Sequence, residues 1–510
     1  MKKIKLFLVN GIILTCTSLI LRTIGMFFNV YISNKIGAES VGVFELVMSV
    51  YFFFITFALS GINLACTRLV SEELAYGNYK NIKSAVKKCL MFSLSFGLFS
   101  ALTLFIFAPY ISTNFLHNKV SCFPFYVISF SLPFVSMSSC INGYFSAIRQ
   151  VKKTAFVQIL EQIIKISIIC FLLSLLVPQS VDFAIISLVL GTTISESCSF
   201  FILYFLYKLN QKKLKETRSI SQNNFSKKIL RISVPVAITS YIRSGLSTIK
   251  QLLIPLSLEK SGISCTESLS QYGMINGMVF PLILFPNIII TTFAGLLIPE
   301  FSYYNTRNEN TKMNKMLNLI FKYSFIFSFC IIGIFLCFSD SFSILFYNNI
   351  EISKYIKILC PLLVFMYLDS IIDSILKGLD KQVKVMGINI LDLITSITLI
   401  YFLLPIKGIT GYIIVIFISE LLNSLLSLKE LLKVTNFSIN YKNWIITPII
   451  SMVLTYLIVK HFITTLLIVP VYLIASMLLF ILIYVILIYV FNNVIIKKTK
   501  LEVFYEKRKF

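Results

Sequence analysis

Fourteen apolar stretches, most of them about twenty residues or longer, recur along the chain between short segments that carry charge or turn-forming residues. A stretch of this length crosses the hydrocarbon core of a bilayer as an α-helix, whereas barrel strands need about ten residues that alternate apolar with polar. Segments such as 466–489 are apolar on every face, so the sequence predicts helices. The predicted spans are 6–33, 41–67, 89–112, 121–146, 155–177, 183–207, 229–256, 271–299, 317–339, 353–376, 385–404, 408–428, 443–459 and 465–494.

The composition favours a membrane protein and excludes most soluble classes. Hydrophobic residues make up 57% of the 510-residue chain and charged residues 13%, against about a quarter charged in an ordinary soluble domain. The net charge of +24 could indicate nucleic-acid binding, but the basic residues lie between apolar runs instead of on one polar face. The first apolar run continues past Arg22 to Tyr31 without a small-residue cleavage site, so no cleaved signal is predicted.

The basic residues also predict an orientation. When the loops are assigned alternately to two sides, 34 of the 46 basic residues fall on the side of the N-terminus and 7 on the other. Cytoplasmic loops of membrane proteins carry the excess of Lys and Arg. We therefore expect a multi-pass protein of the cell membrane, surrounded by lipid bilayer, with both termini in the cytoplasm and no nucleic-acid partner.

The cysteines and histidines predict neither a cofactor nor a metal site. Eleven cysteines, among them Cys16, Cys66, Cys89, Cys140, Cys170 and Cys198, lie mostly inside apolar stretches, and no C-x-x-C motif occurs. A scattered set of this kind indicates packing and not a disulfide framework or a zinc site. The chain contains two histidines, so no site built on histidine ligands or histidine acid–base chemistry is predicted.

Three short matches indicate an internal duplication of six spans. Ile194-Ser195-Glu196 recurs as Ile418-Ser419-Glu420, Glu161 corresponds to Asp392, and Thr17-Ser18 before Arg22 corresponds to Thr239-Ser240 before Arg243. The matches occur in the same order along both halves.

The predicted organisation follows from this repeat and from the longest polar segment. It consists of an N-lobe at 1–207, a cytoplasmic linker at 208–228, a C-lobe at 229–432, two further spans at 443–494 and a basic cytoplasmic tail at 495–510. Duplicated membrane bundles hold their substrate near the midplane where the repeats meet, so the pattern predicts a transporter in which two lobes rock around a cavity.

Basic residues inside predicted spans are the candidates for substrate binding. Arg22 and Arg243 lie at similar depth in repeat-related spans, and Lys250 lies two turns from Arg243 on nearly the same face. A buried charge is costly unless it faces a cavity or a partner, and the planar guanidinium binds phosphate with two hydrogen bonds. We expect these three residues to bind an anionic substrate; the alternative is that each arginine pairs with a carboxylate such as Glu45.

Acidic residues inside the spans are the candidates for an ion site. Asp369 and Asp373 share one face of span ten, and Asp392 lies at similar depth in span eleven. Close carboxylates in a low dielectric can hold a proton or a sodium ion for coupled transport. An equally open alternative is that Asp373 pairs with Lys377, which follows it by four residues, while Asp392 is hydrogen-bonded to neighbouring helices.

The remaining buried acids have more than one possible role. Glu45 and Glu161 are further candidates for ion coupling or for lining a cavity, although Glu161 could instead neutralise Lys165. Glu196 and Glu420 lie near the middles of spans six and twelve, where we expect them to hold each lobe together. No catalytic residue is expected.

Several motifs resemble those of the multidrug/oligosaccharidyl-lipid/polysaccharide exporter superfamily. They are Leu21-Arg22-Thr23-Ile24-Gly25, Lys35-Ile36-Gly37-Ala38, Ser60-Gly61-Ile62-Asn63 and the loop Ser374-Ile375-Leu376-Lys377-Gly378-Leu379-Asp380-Lys381-Gln382. The resemblance covers nearly the whole chain. Within the superfamily, the sequence resembles the branch of sporulation polysaccharide flippases of the stage V sporulation protein B type.

The resemblance implies an all-α fold with two six-helix lobes and two additional helices, and movement of a polyprenyl-pyrophosphate-linked saccharide between leaflets. In the related lipid II flippases, arginines of spans one and seven face the substrate, and these correspond to Arg22 and Arg243. A further Arg-Asp pair of that family is replaced here by Phe28-Asn29, and its span-two arginine has no match near Tyr51-Phe52. The saccharide, which could be lipid II or a spore cortex precursor, therefore stays open.

Three other functions remain compatible with the sequence. A cation-coupled multidrug antiporter of the same superfamily would need an acidic cavity and no paired arginines. A polytopic polysaccharide polymerase would need a long loop on the outer side, where the largest connection is 257–270. A non-transporting scaffold would leave no mark on individual residues, and no protein partner is predicted.

Overall fold

Every regular element in the described residues is a helix, which confirms the predicted all-α class. Inside a bilayer, only helices and closed barrels satisfy all backbone polar groups internally.

Most of the predicted linker, at 212–224, and the end of the predicted tail, at 507–510, lie outside the described residues. The computed structural model describes residues 2–76, 79–115, 121–176, 181–211, 225–435, 437, 441–462 and 470–506.

The chain forms two compact units. The first unit is Met1–Gly277 with Ser396–Tyr412, and the second unit is Met278–Thr395 with Ile413–Phe510. The lobe boundaries deduced from the sequence stay predictions. The helix Phe225–Glu259, which begins the predicted C-lobe, packs within the first unit.

The first unit contains nine helices in its described residues before 277. Helix α1 contacts α3, α6, α8 and α9, while α2, α3 and α5 pack against one another and α6 packs along α7. These helices are α1 (Lys2–Leu59), α2 (Ile62–Ala75), α3 (Tyr79–Phe115), α4 (Phe123–Ser129), α5 (Leu132–Ala147), α6 (Val151–Leu176), α7 (Val181–Gln211), α8 (Phe225–Glu259) and α9 (Cys265–Tyr272).

The second unit is built from the helices that follow the π-helical segment Gly273–Val279. Helix α11 packs against α14, and α12 packs against α16, which in turn contacts α17. The helices are α10 (Phe280–Ile283), α11 (Asn287–Thr306), α12 (Asn310–Tyr347), α13 (Glu351–Leu359), α14 (Leu363–Gly378), α15 (Gln382–Val434, of which 396–412 belongs to the first unit), α16 (Thr447–Phe462) and α17 (Pro470–Glu506).

The outer faces of these helices are apolar. Ile106 of α3 is 69% exposed and Leu478 of α17 is 61% exposed, and many large apolar side chains accompany them. Soluble proteins rarely expose apolar patches of such extent, whereas lipid solvates them. The chain is therefore a multi-pass membrane protein.

The number of spans is consistent with fourteen without fixing it. Ten helical segments of the described chain are long and apolar enough to cross a membrane, and a bent pair adds an eleventh. Two of the ten, Thr15–Ala75 and Gln382–Val434, contain a non-helical glycine, Gly37 or Gly408, where the sequence places a boundary between two spans. Helix α8, which corresponds to predicted span seven, is not among these ten segments.

Candidate functional site

The two arginines predicted to bind substrate are both exposed and lie well inside their helices. Arg22 lies in the part of α1 before Gly37, and Arg243 lies about midway along α8. The hydrogen bonds and the ring contact that join α1 to α8 involve residues of α1 after Gly37.

Arg243 projects from the face of α8 that α1 leaves open. Tyr241 lies within 2.5 Å of the Ser60 hydroxyl, and the Thr248 hydroxyl donates to the carbonyl oxygen of Ser49 at 3.0 Å. Successive helix residues are rotated by about 100°, so Tyr241 and Thr248 share one face of α8 and Arg243 lies on the opposite one.

Lys250 shares this open face, because it follows Arg243 by seven residues, or about two turns. Its ammonium group donates a hydrogen bond to the Ser396 hydroxyl of α15 at 3.2 Å. The predicted alternative partner Glu45 is half-buried against Gly277 of the π-helical segment. Among the described residues, no ion pair joins Glu45 to either arginine.

A cavity of about 290 Å³ with both polar and apolar lining residues lies in the first unit. Glu161 and Glu196 both border it, although the sequence assigned them different roles. The hydroxyl of Ser138 and the amide oxygen of Asn142, which also border it, are buried and have no hydrogen-bond partner among the described residues. The lining residues are Leu59, Val135, Ser138, Ser139, Asn142, Thr154, Val157, Gln158, Glu161, Glu196, Ser199 and Leu203.

Glu196 connects three helices of the first unit. The fully buried Tyr51 of α1 donates its hydroxyl hydrogen to Glu196 of α7 and lies in hydrogen-bonding contact with Ser131, at the start of α5. Lys165 of α6 acts electrostatically on both Glu196 and Glu161. These contacts join α1, α5 and α7 around Glu196, and its structural role in the lobe stays a prediction.

The second unit contains a more acidic cluster. Asp373, Glu420 and Asp392 all lie close enough to Asp369 of α14 to repel its negative charge. Lys377 forms an ion pair with Asp373 at 3.8 Å, with 44% of the lysine side chain exposed. The structure thus brings together the three aspartates that the sequence proposed for an ion site.

Two amide and hydroxyl side chains that the sequence did not single out complete this cluster. Asn423 donates to Asp369 Oδ2 at 3.1 Å and to Asn389 Oδ1 at 3.5 Å, and Ser419 donates to Asp392 Oδ1 at 2.6 Å. The bonds show that the two ends of α15 run side by side. Ser419 was visible as a member of the repeated Ile-Ser-Glu motif, whereas Asn423 lies four residues further along the same helix.

Two buried oxygen atoms of the cluster lack donors. Asp369 Oδ1 and Asn423 Oδ1 have no hydrogen-bond partner among the described residues. A buried acceptor without a donor costs free energy. A proton or a cation bound at Asp369 Oδ1 would satisfy that atom.

Comparison with solved structures identifies the fold. The fold matches that of the lipid II flippase MurJ in an inward closed conformation, with a TM-score of 0.72 and 15% identity over 95% of this chain and 100% of that one. An inward-facing multidrug resistance MATE family transporter of the MOP superfamily matches with a TM-score of 0.62 and 13% identity, over 82% of this chain and 100% of that one. The fold is that of the multidrug/oligosaccharidyl-lipid/polysaccharide exporter superfamily, as the resemblance of the motifs implies.

Sequence comparison then gives the family. The model of the polysaccharide biosynthesis protein family matches residues 7–305, more than half of the chain, and the chain belongs to this family. It is also similar to stage V sporulation protein B of Bacillus subtilis (strain 168), with 24% identity over 452 residues, which cover 86% of each chain.

Proposed function

We propose that the protein is a flippase that moves a lipid-linked saccharide across the cell membrane by alternating access, without catalysing a covalent reaction. Its family is that of polysaccharide biosynthesis proteins, and it is similar along most of its length to a sporulation protein. Its fold matches that of a lipid II flippase. A peptidoglycan precursor is the cargo class that these similarities favour.

The observation that carries the proposal is the exposed Arg243 in the middle of α8. A charge facing lipid at the centre of a bilayer costs about 2.5–3.5 kcal/mol on the insertion scale, so Arg243 is expected to face water. Arg243 would hold the substrate diphosphate with two hydrogen bonds. Arg22 and Lys250 would add positive charge along the path of the substrate.

The second-unit acidic cluster is the proposed site of a coupling cation, either sodium or a proton. Four carboxylates gather there, and Lys377 reaches the edge of the group. In the first unit, Lys165 lies beside both Glu161 and Glu196 and would repel a cation. Asp369 and Asn423 supply oxygen ligands, which are the type that hard cations prefer.

The proposal is tested with purified protein in proteoliposomes that contain a fluorescent polyprenyl-pyrophosphate saccharide. Replacement Arg243→Ala should lower the translocation rate roughly 10- to 100-fold, since a hydrogen-bonded contact to a charged group contributes about 1.5–3 kcal/mol. Arg231→Ala is the matched control, because Arg231 is also an exposed arginine of α8, near the start of that helix. It should translocate at the wild-type rate.

Two results would contradict the proposal. Equal translocation by Arg243→Ala and wild type would remove the role of the guanidinium. Cation-driven uptake of organic cations, with no movement of the lipid-linked saccharide, would favour the multidrug antiporter, a function that the similarity to a MATE family transporter fits.

A further inference from the structure

Three cysteine side chains converge in the core of the first unit. The sulfur atoms of Cys66 of α2, Cys89 of α3 and Cys140 of α5 all lie within 4.8 Å of one another, and all three side chains are buried. The three helices contribute one sulfur atom each. This convergence was not predictable from the sequence, because no C-x-x-C spacing links the three residues.

Close packing brings α2 and α5 together next to the sulfur atoms. A Cβ on Gly143 would lie 3.2 Å from the Cβ of Cys66 and 2.6 Å from the carbonyl oxygen of Asn63, so a larger residue would force the helices apart. The Thr67 hydroxyl donates to the carbonyl oxygen of Gly143 at 3.1 Å and fixes this crossing.

Hydrogen bonds hold α3 against α5 in the same region. The Ser136 hydroxyl donates to the carbonyl oxygen of Ser93 at 2.9 Å. Ser93 is one helical turn from Cys89, and Ser136 is one turn from Cys140. The Ser93 hydroxyl also donates to the carbonyl oxygen of Cys89 at 2.9 Å. The positions of the three sulfur atoms are therefore set by the rigid crossing of three helices, the arrangement that a metal site requires.

The surroundings of the sulfur atoms are apolar. The cysteines belong to a buried cluster in which aliphatic and aromatic residues of α2, α3 and α5 surround them, including Ile62, Leu69, Val86 and Ile141. In the described residues, the group that could hold a metal ion contains three thiols and no histidine or carboxylate. Sulfur ligands alone select soft metal ions such as Cu⁺ and Zn²⁺.

We propose that Cys66, Cys89 and Cys140 form a three-sulfur binding site for the soft monovalent cation Cu⁺. Zn²⁺ fits less well, because structural zinc takes four ligands and the group offers three. A monovalent ion also suits an apolar core, where charge is costly, because exchange of one thiol proton for Cu⁺ leaves the net charge of the site unchanged. One copper–sulfur bond replaces one sulfur–hydrogen bond, the released proton passes to the solvent, and the other two sulfur atoms coordinate the ion through lone pairs. The inference is independent of the proposed flippase function.

The test uses the purified full-length protein, reduced and stripped of metal, to which Cu⁺ is added before an excess of a chromogenic Cu⁺ chelator. We expect about one Cu⁺ per chain to resist the chelator and X-ray absorption to find only sulfur neighbours around it. Cys66→Ser and Cys140→Ser should weaken binding by roughly 100-fold or more, since even supporting residues of metal sites contribute 10- to 100-fold. The matched control is Cys360→Ser, a buried cysteine of the second unit, which should bind as wild type does.

Folding of each variant is checked by size-exclusion chromatography and circular dichroism. Cys89→Ser is a third variant of the same site, for use where one of the other two fails to fold. Complete removal of copper from folded wild type by the chelator would overturn the proposal and leave the thiols as core packing. The same conclusion would follow if wild type and folded Cys140→Ser retained copper equally. Retention of Zn²⁺ in preference to Cu⁺ would overturn the assignment of the ion.

Discussion

The buried acids of the two units differ in their neighbours, although the sequence predicts that they correspond in a repeat. Glu161 is the predicted counterpart of Asp392, but Glu161 lies near the ammonium group of Lys165, whereas Asp392 belongs to a group of four carboxylates. A lysine offsets part of the negative charge of the carboxylates beside it. Several carboxylates together in a low dielectric need a proton or a cation to lower their mutual repulsion.

Asp369 is therefore the residue at which we expect loss of coupling. Asp369→Asn should reduce the stimulation of translocation by an imposed sodium or pH gradient at least about tenfold, because the amide removes one negative charge from the cation site. The measurement is the translocation rate in proteoliposomes with and without each gradient. Which gradient stimulates the wild type identifies the ion.

The control for this substitution is Asp340→Asn in the same unit. Asp340 of α12 pairs with Lys357 at 2.7 Å, and both side chains are about half exposed, so its replacement should leave the gradient dependence intact. A folded Asp369→Asn protein that responds to gradients as wild type does would contradict the coupling role.

Helices α1 and α15 each contain a non-helical glycine where the sequence predicted a boundary between two spans. The predicted spans at 6–33 and 41–67 are separated by Gly37, and α1 ends at Leu59. The chain leaves helical geometry fully at Ser60 and Gly61, which both have positive φ. The segment between the two predicted spans contains a single glycine and no proline, so most of the backbone stays helical and only the glycine departs.

Gly408 is the corresponding element-scale test in α15. Its φ of 55° and ψ of −136° lie in a region that essentially only glycine adopts. Gly408→Ala should destabilise the protein by roughly 1–3 kcal/mol, measured as a lower melting temperature in detergent.

The matched substitution on the same helix is Gly387→Ala. Gly387 has helical geometry, and a Cβ there would meet no atom within 4 Å. Alanine should be neutral or stabilise by up to about 1 kcal/mol, because it favours the helix more than glycine does. Equal melting temperatures for the two variants would show that the kink is not held by glycine.

The distribution of charge over the whole molecule favours one orientation in the membrane. Of the 46 basic residues, 34 fall on the side assigned to the cytoplasm, where an anionic leaflet attracts them. Helix α12 spans 38 residues, or about 57 Å at the helical rise. Residues before and after α12 should therefore lie on opposite sides of the membrane.

Labelling of engineered cysteines tests this orientation. Thr311, at the start of α12, and Lys354, in α13, are both exposed. A membrane-impermeant maleimide should label Lys354→Cys in intact cells and Thr311→Cys only after permeabilisation, in each case above the level of the native cysteines. The reverse pattern would show that the termini lie outside the cell.

The sequence by itself determined the helical class, the membrane location and the family, because a bilayer forces each spanning segment to satisfy its own backbone hydrogen bonds. The length of each apolar segment therefore predicts a membrane-spanning helix directly. It also identified Asp369 and Asp373, which share a helix face at a spacing of four residues. Only the tertiary structure decided which helix faces meet: Asn423 with Asp369, Tyr51 with Glu196, and the three thiols with one another. These contacts depend on how each helix is rotated and packed against partners that are distant in the chain, and hydropathy carries no information about that rotation.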